Sequence, residues 1–263
     1  MPIQILNVES LTPLLRTLPI LAVVLILLLT ADRWLHRHLQ GVLLLLTNDQ
    51  EIALWLYALV LFPGVLLHEL SHAVVAGLVG VRIGRISIFP RRIGGRIQLG
   101  FVPIEETDFL RASLIGAAPL IVGSAVVILT GHLVFGTPEV LTALTAADWV
   151  AALQGMRGAL QAPDVWIWAY FVFTIGNTML PSRADTHAWP IFGIALVVVL
   201  LIVALAGAGA VLLDGLSRFL VGSVRWVVLL GASTLLIDVP FFICLFLCEK
   251  LIERLKGQRI VYH

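Results

Sequence analysis

Apolar runs separated by short polar connections occupy the chain from end to end. Fifteen uncharged residues, including LPILAVVLILLL, lie between Arg16 and Asp32. A second run extends from Ile52 to about Gly80 and a third from Ala112 to about Phe135. A fourth fills the eighteen uncharged positions between Asp164 and Arg183; a fifth runs from about Trp189 to Leu213, and a sixth from Trp226 to Cys248. A bilayer core of roughly 30 Å is crossed by about 20 apolar residues in a helix. The pattern therefore predicts an α-helical multi-pass membrane protein with about six transmembrane helices. The first run is short and spans if Arg16 reaches back to the interface. A cleaved leader is the rival reading; Glu9 before Arg16 and the lack of a small-residue cleavage site after the run favour a retained helix.

Two connections have a pattern of their own. In Val81 to Pro103, Ile86 and Ile88 alternate, as do Ile97, Leu99 and Phe101, with Gly94 and Gly95 supplying a turn. This predicts a small β-hairpin on the cytoplasmic side. Between Pro138 and Ala162 the apolar residues Trp149, Leu153, Met156 and Leu160 recur at helical spacing, which predicts an amphipathic helix on the outer interface.

Composition removes the alternatives. Of 263 residues 60% are hydrophobic and 13% charged, and the mean hydropathy is +1.03. Soluble domains carry about 25% charge, so soluble, disordered and disulfide-framework classes are excluded. The net charge of +1 offers no nucleic-acid footprint. The reading is one membrane domain over 1–263: a first span and loop (1–51), a core (52–187), and two further spans with a basic tail (188–263). Cys244 and Cys248, four apart on one helix, read as buried reduced thiols.

Charge also orients the spans. Arg82, Arg85, Arg91, Arg92 and Arg96 follow the second span; Lys250, Arg254, Lys256 and Arg259 follow the sixth. With six spans both groups fall on one face, which the positive-inside rule makes cytoplasmic. Both termini are then cytoplasmic, in a cell (plasma or inner) membrane.

Residues 68–72 read HELSH, the order H-E-x-x-H. On a helix, His68 and His72 share a face one turn apart and can bind one Zn²⁺, with Glu69 placed to act on the water that the metal activates. The motif lies inside a span, where each ionisable group costs at least about 2.5–3.5 kcal/mol. A polar helix-packing patch is the bland reading, and it does not account for the order of the residues. A catalytic zinc needs a third protein ligand. At 1.5 Å per residue, His72 lies about 30 Å from Ile52, and Asp185 about 30 Å from Val165 if helix continues past Pro181. Asp185 thus arrives on the right face at the right level, with His187 as the alternative. Asp238, deep in the sixth run, reads as the cap of a helix restarting before Pro240 or as a gating residue. His36 and His38 read as solvated or packed.

HELSH in one span and NTMLPSRAD, from Asn177 to Asp185, at the end of another resemble the site-2 protease family of intramembrane zinc metalloproteases. The resemblance extends to Gly116, Ala117, Ala118 and Pro119 in the third span and covers roughly Ile52 to Asp185. Pro181 stands one position from the family's proline, Thr186 replaces a glycine, and there is no PDZ-like insert. The resemblance implies one Zn²⁺ held by His68, His72 and Asp185, with Glu69 as the catalytic base. The substrate would be a transmembrane or membrane-anchored protein, cut near the cytoplasmic face and held by edge pairing on the hairpin. Asn177 would donate a hydrogen bond to the substrate or to developing negative charge, a helix-packing role being the alternative. Two other functions stay open: a proteolytically silent escort that binds membrane segments, and a metal transporter.

Overall fold

The computed structural model describes residues 8–93, 96–258 and 260; Gly94, Gly95 and Arg259 lie outside the described residues. The chain folds into helices α1 (Val8–Thr47), α2 (Gln50–Leu78), α3 (Phe109–Leu133), α4 (Thr137–Thr145), α5 (Trp149–Ala159), α6 (Val165–Gly176), α7 (Trp189–Val203) and α8 (Gly209–Lys256). Among the described residues, five helices or helical segments are long and apolar enough to cross a membrane, and α6 is a shorter apolar helix.

Helix α1 continues 15 residues past Asp32 to Thr47, so the polar stretch Asp32 to His38 is helical and not a loop. Its i, i+4 residues Leu35, Leu39 and Leu43 pack on Ala53, Tyr57 and Leu61 of α2. Asp49 starts α2 as N-cap, accepting the N–H groups of Glu51 and Ile52 at 2.7 and 2.9 Å. Gly64 of α2 faces Thr174 and Thr178, where a Cβ would strike the Thr174 carbonyl. Small residues at such a point let two membrane helices approach closely. Beside it, Pro63 sits inside α2, and the Tyr170 hydroxyl donates to the Val60 carbonyl at 2.9 Å.

Helix α6 ends at Gly176, with Asn177 as its C-cap, five residues before Pro181. Helix does not continue past Pro181 to Asp185, and a series of turns carries the chain to α7. The segment expected to form one amphipathic helix forms two, α4 and α5, divided at Ala147 (φ 55°). Trp149, Leu153, Met156 and Leu160 are exposed on α5 and its C-cap.

Helix α8 is one 48-residue helix that passes through Pro240 without a break. The expected restart before Pro240 does not occur, so Asp238 is not a cap. Arg218 and Asp214, paired at 2.6 Å on the exposed surface, extend the helix upstream of Trp226. Cys244 and Cys248 are free but exposed, contrary to the buried thiols expected; their common face points away from the packed helices.

Helices α1 and α8 pack in parallel. Gly231 faces Val24 and Leu28, His38 meets Glu249, and the Lys256 ammonium donates to the carbonyls of Leu45 and Leu46. The end of α8 therefore lies beside the end of α1, at the opposite end of this helix pair from the start of α1. Val81 bonds back to Ala76, which places Arg82 at the far end of α2. The basic groups used to orient the chain are thus divided between two ends, and they no longer select a cytoplasmic side.

The segment between α2 and α3 is extended. Strand β1 (Arg91–Ile93) pairs antiparallel with β2 (Arg96–Gln98), and isolated bridges join Ser87 to Phe101 and Ile83 to Ile104. The segment folds back along α2 and does not stand beyond its end. Phe89 packs edge-on against Trp55 at 5.9 Å, and Ile97 and Leu99 pack on the α1–α2 cluster.

Candidate metal centre

His68 and His72 project from one face of α2, and each is oriented by a backbone carbonyl. His68 Nδ1 donates to the Thr178 carbonyl at 2.8 Å, and His72 Nδ1 donates to the Ile115 carbonyl at 2.8 Å. Carbonyls only accept, so the proton of each neutral imidazole is on Nδ1. The two Nε2 lone pairs then face each other, 3.2 Å apart. Orientation of the distal nitrogen by a carbonyl is the usual outer support of a metal-binding imidazole.

Asp185 completes the group. Its Oδ1 lies 3.1 Å from His72 Nε2 and its Oδ2 3.8 Å from His68 Nε2. The Ser182 N–H donates to Asp185 Oδ2 at 2.7 Å, closing a tight turn that aims the carboxylate inward. Gly116 of α3 makes room for this turn: a Cβ there would strike the Asp185 carbonyl.

One ligand atom from each of His68, His72 and Asp185 falls within a 4.8 Å span. Zinc bonds of about 2.0–2.1 Å place tetrahedral ligand atoms roughly 3.3 Å apart. The 3.2 Å between the two Nε2 atoms and the 3.1 Å from His72 Nε2 to Asp185 Oδ1 match that spacing, and His68 Nε2 lies 3.8 Å from the other carboxylate oxygen. His187 is not in the group; its Nδ1 donates to the Ala184 carbonyl at 2.6 Å.

The three residues line a cavity of about 870 Å³, together with Glu69, Asn177 and the extended stretch Ile97 to Val102. Glu69 is 7% exposed. Gly100 of the extended segment lies against it: a Cβ there would lie 2.5 Å from Glu69 Oε1 and 2.6 Å from Cγ. Only glycine lets this backbone run so close to the carboxylate. Gly100→Val is expected to lower any Glu69-dependent turnover at least tenfold while zinc content stays unchanged, measured on the same purified sample.

Asn177 reaches the cavity, but its amide donates to the Phe173 carbonyl at 2.8 Å and to Asp238 Oδ2 at 3.0 Å. Both of its protons are thereby committed within the protein.

Asp32, His36 and Tyr57 also stand on the cavity wall, where the sequence assigned no role to Asp32 or Tyr57 and read His36 as solvated or packed. The Tyr57 hydroxyl meets His36 Nδ1 at 2.7 Å, and His36 Nε2 meets Asp32 Oδ1 at 3.1 Å and the Asn177 carbonyl at 3.2 Å. Because carboxylate and carbonyl only accept, His36 carries its proton on Nε2 and accepts from Tyr57. The i, i+4 spacing of Asp32 and His36 was the available signal, visible only once α1 is known to continue through them.

Comparison of the chain with protein-family models, with curated proteins and with solved structures finds no match to any of them.

Proposed function

We propose that the protein is an intramembrane zinc-dependent endopeptidase that hydrolyses a peptide bond in a transmembrane segment or membrane-anchored protein. The observation that carries this reading is the convergence of three acceptors. His68 Nε2, His72 Nε2 and an Asp185 oxygen face one point, and the imidazole protons are spent on carbonyls behind them. A single proton would relieve one of these pairings; a divalent cation relieves all three. Two nitrogens and one carboxylate oxygen suit Zn²⁺, and three protein ligands leave a position open for catalysis.

Held by His68, His72 and Asp185, zinc would supply Lewis-acid chemistry, polarising the scissile carbonyl and lowering the pKa of water towards neutrality. Glu69, next to His68 and lining the same cavity, takes the proton of the attacking water on its carboxylate and delivers it to the leaving amine. Helical amides are closed to attack, so the substrate enters unwound. The stretch Ile97 to Val102 offers it an extended wall along the cavity, suited to edge pairing. An escort has no use for Glu69 beside a complete ligand set. A transporter needs ligands that hand the ion across, and among the described residues only one group of metal-ligand type comes together.

The test is metal removal and return. Purified protein in detergent is expected to contain about one zinc per chain. A chelator should abolish cleavage of a reporter transmembrane peptide, and stoichiometric zinc should restore it. Metal-free protein of full activity would end the proposal.

A further inference from the structure

Asp238 is 1% exposed in the middle of α8, and its Oδ1 has no hydrogen-bond partner. A carboxylate at such depth costs at least about 2.5–3.5 kcal/mol on insertion scales. No capping role offsets that cost, since α8 runs straight through. Its sole protein bond in the described structure is the 3.0 Å contact from Asn177.

Asn177 is where the metal loop begins. It caps α6, and the next residue, Thr178, supplies the carbonyl that orients His68. Eight residues further on, the same loop presents Asp185 to both histidines. Asn177 is held from two sides: Asp238 of α8 accepts from its side chain, and His36 of α1 donates to its carbonyl. The side chains of Asn177 and Asp238, with Asp32 of α1, also line a small cavity of about 30 Å³ between α1, α6 and α8.

We propose that Asp238 is a positioning residue for the metal centre, acting through Asn177 on the loop that orients His68 and carries Asp185. The inference rests on the metal reading of His68, His72 and Asp185 but not on proteolysis. Outer partners that orient metal ligands are commonly worth 10–100-fold in metal affinity. The bond needs only an acceptor at position 238, so an amide oxygen serves as well as a carboxylate.

The test measures zinc affinity by chelator competition, with melting temperature recorded in parallel for each metal-free variant. Asp238→Leu removes the acceptor and should weaken zinc binding 10–100-fold. Asp238→Asn keeps it and should bind within about threefold of the parent. Asn177→Ala, which breaks the same bond from the other side, should match Asp238→Leu, and it serves if the leucine variant does not fold. Loss of zinc in Asp238→Leu with rescue in Asp238→Asn establishes the role. Unchanged zinc affinity in Asp238→Leu or Asn177→Ala overturns it, as does equal loss in Asp238→Asn, which would make the charge itself the requirement. Parent protein that binds zinc without cleaving peptides would refute proteolysis and leave this inference standing.

Discussion

Glu69→Gln is expected to abolish cleavage while the protein keeps its full complement of zinc. The glutamine amide is close in shape to the carboxylate, so the packing against Gly100 survives. None of the three ligands is altered, and the carbonyls behind His68 and His72 still orient the imidazoles. What is lost is an atom that can accept and return a proton. General acid–base groups contribute about 10²–10⁴-fold, and turnover should fall by at least that range because Glu69 serves both halves of the reaction. Zinc analysis and peptide cleavage on one preparation decide the matter. Full activity in the variant would remove Glu69 from the chemistry. The same variant expressed in membranes should hold uncut substrate, and its co-purification would identify the segment that is cleaved.

The second large effect is expected at Asp185. Asp185→Ala leaves two nitrogens in a site whose third corner is empty, and zinc bound by two histidines alone exchanges readily with water and chelators. Zinc content after dialysis should fall from about one per chain to near zero, and cleavage should disappear with it. Asp185→Asn should lie between, because its oxygen can still approach the metal but carries no charge. His187→Ala is the control. His187 lies outside the ligand group and donates to the Ala184 carbonyl, so zinc content should not change. The reverse pattern would exchange the roles of Asp185 and His187.

These residues differ in how readily the sequence disclosed them. His68, Glu69 and His72 lie within five positions on one helix, so helical geometry alone sets their relation. Asp185 was found by a route the structure does not follow. Its level was counted along a helix through Pro181, whereas α6 stops at Gly176 and turns deliver the carboxylate against Gly116. Local signals could not foresee this, because the turn is shaped by a third helix about 70 positions away. Asp238 was conspicuous as a carboxylate in an apolar run, yet its partner Asn177 is 61 residues distant. The same holds for the extended segment: the alternation at Ile86 and Ile88 does not mark a strand, since the short strands are Arg91–Ile93 and Arg96–Gln98, and only tertiary packing against Trp55 and the α1–α2 cluster shows that the segment folds back along α2. The orientation argument failed for a related reason. It assumed that six runs meant six crossings, while α1 and α8 lie side by side in the same direction.

That parallel pairing has a consequence for the order in which the molecule becomes complete. During synthesis, His68, His72 and Asp185 are all made before α8 leaves the ribosome. The residue that begins their loop nevertheless depends on Asp238, in the final helix, and on His36, in the first. A nascent chain that has inserted everything up to α7 holds all three ligands but only half of the clamp on Asn177. Closure of α8 against α1, with Lys256 seated on the last carbonyls of α1, is the step that brings both halves together. On the proposed reading, the metal centre is thus fully supported only once α8 has been made and has packed against α1.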